Sequence, residues 1–161
     1  MIAVTASFPE LSSQDCLVLR ARRAARAITD LYDLVLSPTG LRITQFILLR
    51  AILEHGRVCQ QQLVAELAVS PETISRRMAA LVSAGWARLI PGQHGRQKSY
   101  RVTEMGKAEF LRALPFWRLS QNRLRLCLGE GDCQAAMRVL DMLVQKAQQA
   151  EAARIRNVLN F

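Results

Sequence analysis

The sequence predicts a mainly α chain with one small β hairpin, and three observations carry that reading. Ser70-Pro71-Glu72-Thr73 is the sharpest helix start in the chain. Ser70 suits the N-cap, Pro71 the first helical position, and Glu72 the positive end of the helix. The apolar period then changes from helical to alternating between Trp86 and Val102, which marks a hairpin. Finally, long apolar-striped helices are expected at both ends of the chain, over 12–36 and 133–157, too apolar to stand alone.

In chain order, residues 12–36 read as a helix capped by Ser12 or Ser13, with Asp15 in its first turn. Leu17, Ala21, Ala24, Ala25, Ile28, Leu31, Leu34 and Val35 recur at helical spacing, and Arg20, Arg22, Arg23 and Arg26 add a basic cluster. Ser37-Pro38-Thr39-Gly40 stops it. Thr44 is the expected cap of a second helix reaching about Glu54, which Gly56 ends. A short third helix spans about Gln60 to Ala68. Only Val69 and Ser70 separate it from the Ser70–Ala84 helix, a connection of the helix-turn-helix kind. Gly85 terminates that helix.

Trp86–Ile90 and Lys98–Val102 are the strand candidates, joined by a loop from Pro91 to Gln97. Thr103 caps a helix through Leu128 with Pro115 inside it, where a kink is expected. Gly129 to Asp132 is read as a turn, with Asp132 capping a last helix to about Asn157. The whole, 1–161, reads as one winged helix-turn-helix domain. Residues 41–102 form its reading lobe, and 12–36 with 103–157 form a helical dimerisation layer.

Composition narrows the function. The chain of 161 residues is half apolar with only 5 Pro and 8 Gly, which argues against disorder. No apolar run approaches the roughly 20 residues that span a bilayer, and the N-terminal stretch lacks the Lys or Arg of a signal peptide. No membrane association is therefore expected, and the cytoplasm is the expected location. Twenty-two Lys and Arg against 13 Asp and Glu leave a net charge of +9, an attraction for polyanions such as nucleic acid.

Catalysis has little support. His55 and Cys59 are separated by the helix-breaking Gly56, and His94 has no carboxylate near it in sequence. Cys16, Cys59, Cys127 and Cys133 form no Cys-x-x-Cys pair, so neither a metal nor a cofactor is expected.

Binding is better supported. A helix that enters the major groove presents its first residues to base edges. Here those are Glu72, Thr73, Ser75, Arg76 and Arg77, with the Ser70 amide available to a phosphate. Arg76 suits guanine O6 and N7 or a phosphate. Glu72 either rejects phosphate or accepts from cytosine N4. The hairpin adds Gln93, His94, Arg96, Gln97 and Lys98, and an arginine at its tip suits a narrow A·T-rich minor groove.

From Ala21 to about Trp117 the chain resembles the MarR family of bacterial transcriptional regulators. The resemblance rests on Ala27-Ile28-Thr29-Asp30-Leu31-Tyr32, Gly40-Leu41-Arg42-Ile43-Thr44-Gln45-Phe46, Leu63-Val64-Ala65-Glu66-Leu67, Thr73-Ile74-Ser75-Arg76, Leu81-Val82-Ser83-Ala84-Gly85-Trp86 and Arg101-Val102-Thr103-Glu104-Met105-Gly106. It implies a homodimer built on the first and last helices. It also implies repression at a palindromic operator, relieved by a small aromatic or apolar effector, with Tyr32, Leu36, Phe46, Leu49 and Trp117 at the pocket positions. Where the family wing carries an acid two residues before its tip arginine, this chain has His94 before Arg96. Relatives that sense organic peroxides use a cysteine in the first helix. Cys16 lies close to it, but Val18 occupies the sensor position, so oxidant sensing is the alternative reading, along with a dimeric protein-interaction module that binds no DNA.

Overall fold

A computed structural model describes residues 16–91 and 98–159. Helix α1 spans Leu17–Leu36 and runs into a 3-10 turn at Ser37–Thr39. Helix α2 (Ile43–His55), strand β1 (Val58–Cys59), helix α3 (Gln60–Leu67) and helix α4 (Pro71–Ser83) follow. Strands β2 (Ala87–Pro91) and β3 (Lys98–Val102) make the wing, and helices α5 (Glu104–Leu128) and α6 (Glu130–Leu159) complete the chain. This is the mainly α architecture expected, with a three-stranded sheet in the order β1-β3-β2. The chain divides into two compact units, Met1–Trp117 and Arg118–Phe161.

Four local expectations are corrected. The expected caps Ser12 and Ser13, with Asp15, lie outside the described residues, and Cys16 is the N-cap of α1. Thr44 does not cap α2. That helix starts at Ile43, whose N–H donates to Asp33 Oδ1 at 2.7 Å, while Gln45 Oε1 accepts from the Arg42 N–H at 2.9 Å. A carboxylate from α1 thus caps α2, and Arg42 holds it by an ion pair of 3.1 Å. Strand β1 was not expected. It exists through its antiparallel pairing with β3, Val58 opposite Tyr100 and Cys59 opposite Ser99. Last, Asp132 lies inside α6 instead of capping it. Gly129 turns the chain at φ 81, and α6 begins immediately at Glu130.

The core of the first unit gathers Phe46, Leu48 and Ile52 of α2, Val58 of β1, Leu63 of α3, and Ile74, Met78 and Leu81 of α4, all essentially inaccessible. Burial of this apolar surface is the main favourable term in holding α4 against the lobe. The same burial raises the pKa of the Tyr100 phenol.

Two junctions orient α4 and the wing. Its C-terminus closes with Gly85 at φ 73, the Trp86 N–H bonding the Leu81 carbonyl and the Gly85 N–H that of Val82. Thr103 then ties the wing exit back to this point. Its N–H donates to the Trp86 carbonyl at 3.0 Å and its hydroxyl to the Gly85 carbonyl at 2.6 Å. That hydroxyl also accepts from the Gly106 N–H, capping α5 as the sequence suggests. Gly106 packs directly on Trp86, where a Cβ would sit 2.0 Å from the Trp86 carbonyl oxygen, so no larger residue fits.

Candidate nucleic-acid interface and pocket

The interface is built on the first turn of α4. Ser70 takes extended backbone angles, and its hydroxyl accepts from the Thr73 N–H at 3.2 Å. Pro71 occupies the first helical position, where a missing N–H costs nothing. The turn leading in from α3 is tight because Ala68 adopts a left-handed conformation at φ 49. Ile74, Met78 and Leu81 anchor one side of α4 in the core. The opposite side then presents Glu72, Ser75 and Arg76 to solvent, with Thr73 and Arg77 half-buried and Ser70 exposed. The expected contact residues Ser70, Thr73, Ser75 and Arg76 therefore fall within two turns of one helix end.

Glu72 stays ionised. Its own backbone N–H and the Ser70 hydroxyl hold its carboxyl below the ordinary carboxylate range, against a small opposing effect of desolvation. Arg76 stands one turn on, yet the two form no ion pair among the described residues.

The wing brings a second set of cations beside α4. Lys98 is exposed at the start of β3, opposite Pro91. Gln93, His94, Arg96 and Gln97 lie outside the described residues. Sequence reasoning missed Arg88 and Arg101, two exposed arginines directly opposite each other on β2 and β3. The alternation of the strands carried the signal. Neither strand contains a carboxylate, so the wing is uniformly basic.

An apolar cavity of about 390 Å³ opens in the same unit, lined by Phe46, Arg50, Leu53, Glu54, Phe110, Leu114 and Trp117. Phe46 stacks with two rings, its centroid 4.7 Å from Phe110 and 5.8 Å from Trp117. Arg50 lies 6.0 Å from the Trp117 ring and bonds Glu54 at 2.7 Å. A small pocket with an apolar aromatic lining and one charged pair suits a flat organic molecule of modest size.

Of the five residues expected here, Phe46 and Trp117 line the cavity. Tyr32, Leu36 and Leu49 are buried in the core and are not on its wall. The residues missed follow helical spacing from the two that were found. Arg50 and Leu53 lie four and seven residues after Phe46, and Leu114 and Phe110 lie three and seven before Trp117.

Cys16 is exposed at the start of α1, Cys127 is exposed, Cys59 is half-buried and Cys133 is buried. Among the described residues no three His, Cys, Asp or Glu side chains gather as a metal site. No described helix is long and apolar enough to cross a membrane.

The winged helix-turn-helix DNA-binding family model matches residues 41–88, the stretch from α2 through the first residues of β2. No curated protein sequence matches the chain. Among solved structures, a transcriptional regulator of M. tuberculosis, MosR, in complex with DNA is 30% identical with a TM-score of 0.77. The match covers 84% of this chain and 98% of that one. A second structure of MosR is 29% identical with a TM-score of 0.75, covering 85% and 98%. A mutant MarR of E. coli complexed with operator DNA is 20% identical with a TM-score of 0.72, covering 79% and 92%, and shares the fold.

Proposed function

The chain belongs to the MarR family of winged helix-turn-helix regulators, and from that premise we propose that it is a sequence-specific DNA-binding transcriptional regulator. It works by binding and not by catalysis. It acts as a homodimer on a palindromic operator, in the cytoplasm where its DNA is, and represses until a small aromatic or apolar effector releases it. The observation that carries this reading is the first turn of α4. That turn is capped by Ser70, anchored by Ile74 and Met78, and open to solvent along Ser75 and Arg76 beside a basic wing.

In this reading Arg76 bonds a guanine edge, Thr73 and Ser75 reach bases or backbone, and Ser70, Arg77 and Lys98 hold phosphates. Gln93, His94 and Arg96 serve the minor groove at the wing tip. The dimer follows from apolar side chains of α1 and α6 that the single chain leaves in water, and a second copy covers them. The released state is the one that fills the Phe46–Phe110–Trp117 cavity, since a ligand shifts an equilibrium only by its difference in affinity for the two states.

Binding to a short palindromic duplex, weakening steeply as salt rises, is the expected result. Arg76→Ala lowers affinity for the selected site roughly 5- to 150-fold and lowers affinity for random DNA much less. Equal losses on both, or no binding at low salt, would refute the role. An exposed thiol at Cys16 favours a second trigger, oxidation. Peroxide-dependent release that Cys16→Ser abolishes and thiol reverses would replace the ligand by the oxidant.

A further inference from the structure

Two opposite charges stand one turn apart on the exposed face of α4, Glu72 and Arg76. A glutamate four residues before an arginine is the favoured order for an ion pair within a helix. Elsewhere the chain makes i,i+4 pairs, Arg26 with Asp30 and Arg50 with Glu54, but Glu72 and Arg76 do not pair. The Ser70 hydroxyl at the helix end is engaged by Thr73, whose N–H it accepts at 3.2 Å, and both the Glu72 and the Arg76 side chains are exposed. Both charged groups are thus left for an external partner. A bare carboxylate beside DNA phosphates repels them, so a protein that binds DNA through this helix needs a compensating contact for it.

We propose that Glu72 is a cytosine reader working in tandem with Arg76 as a guanine reader, so that each half-site is marked by a C and a G about two base pairs apart. The proposal rests on the DNA-binding reading given above. An ionised carboxylate only accepts hydrogen bonds. In the major groove the donors are cytosine N4 and adenine N6, but adenine places its N7 acceptor beside the amino group, where it repels a carboxylate. Cytosine presents the donor alone. Guanine presents the acceptors O6 and N7 and so takes the arginine. Four residues of helix rise about 6 Å, close to the length of two base-pair steps at about 3.4 Å each. The first turn of α4 thereby offers an acceptor and a donor at the spacing of nearby base pairs.

The test is selection of sites from a randomised duplex library by the full-length protein, the Glu72→Gln and Glu72→Ala variants, and Arg76→Ala. Thermal melting serves as the check that each variant folds. Wild type is expected to select a C and a nearby G in both half-sites. Glu72→Ala loses the preference for C, roughly 5- to 150-fold over other bases, and keeps the G. Arg76→Ala does the reverse. Glu72→Gln moves the preferred base toward adenine, because an amide bonds adenine N6 and N7 together. Unchanged site preference in both Glu72 variants would overturn the assignment. So would an equal rise in affinity for every sequence, since that is mere relief of repulsion. Failure of the wild type to select any site at low salt would bring down the DNA-binding reading itself. Selection by wild type with no change in the variants would remove only the role of Glu72.

Discussion

Residues 41–102 and the helices at the two ends of the chain treat their apolar side chains differently. In the winged lobe, Leu48, Ile52, Val58, Leu63, Ile74, Met78 and Leu81 are fully enclosed by α2, α3, α4 and the sheet. On α6, Met137, Leu140 and Val144 are 48%, 52% and 54% exposed, at the i, i+3, i+7 spacing of one helix stripe. Helix α1 likewise leaves Leu17, Val18 and Ile28 in water. The lobe is a finished structure within one chain. The terminal helices instead leave part of their apolar sequence in water, beyond what a single chain encloses.

The contrast can be broken from either side. The largest effect is expected at the lobe junction. Gly106→Ala forces a methyl group onto the Trp86 carbonyl, so the backbone must move, at about 3 kcal/mol or more. Chemical denaturation measures it, and a loss below about 1 kcal/mol would mean that α5 is not locked to the end of α4. Next in size is Leu140→Asp with Val144→Asp on the exposed stripe of α6. Light scattering at micromolar concentration is expected to show a monomer in which hydrogen exchange within residues 41–91 remains protected. A variant that stays dimeric would place the interface elsewhere.

The smallest effect sharpens the comparison within the lobe itself. Ala68 holds a left-handed conformation in the helix-turn-helix connection, which costs a non-glycine residue about 1–2 kcal/mol. Ala68→Gly is expected to raise stability by about 1 kcal/mol without moving α4. If the melting temperature falls instead, the alanine methyl group contributes packing that outweighs its backbone cost.

Local chemistry was legible in the sequence, and contacts across the chain were not. The Ser70 cap, the Gly85 stop and the Thr103 cap each depend on residues within a few positions of one another. The cap of α2 could not be read that way, because Asp33 belongs to α1 and reaches Ile43 only after both helices have packed. Strand β1 is two residues long and is defined by its partner β3, some forty positions later. Phe46 and Trp117 sit on the wall of the aromatic cavity while Tyr32, Leu36 and Leu49 are buried in the core, and an apolar residue looks the same in sequence whether it lines a cavity or fills one.

The sequence by itself determined the order and type of the elements, the position and cap of α4 and the excess of positive charge. Those depend on hydrophobic period, capping residues and composition, which are short-range or additive properties of the chain. Only the tertiary structure decided which face of each helix is inside. It brought Phe46, Phe110 and Trp117 into one stack across more than sixty residues and set Arg88 opposite Arg101 on the wing. Such choices are settled by packing and by competition among hydrogen-bond partners. Both depend on where distant segments meet, and no local pattern encodes that.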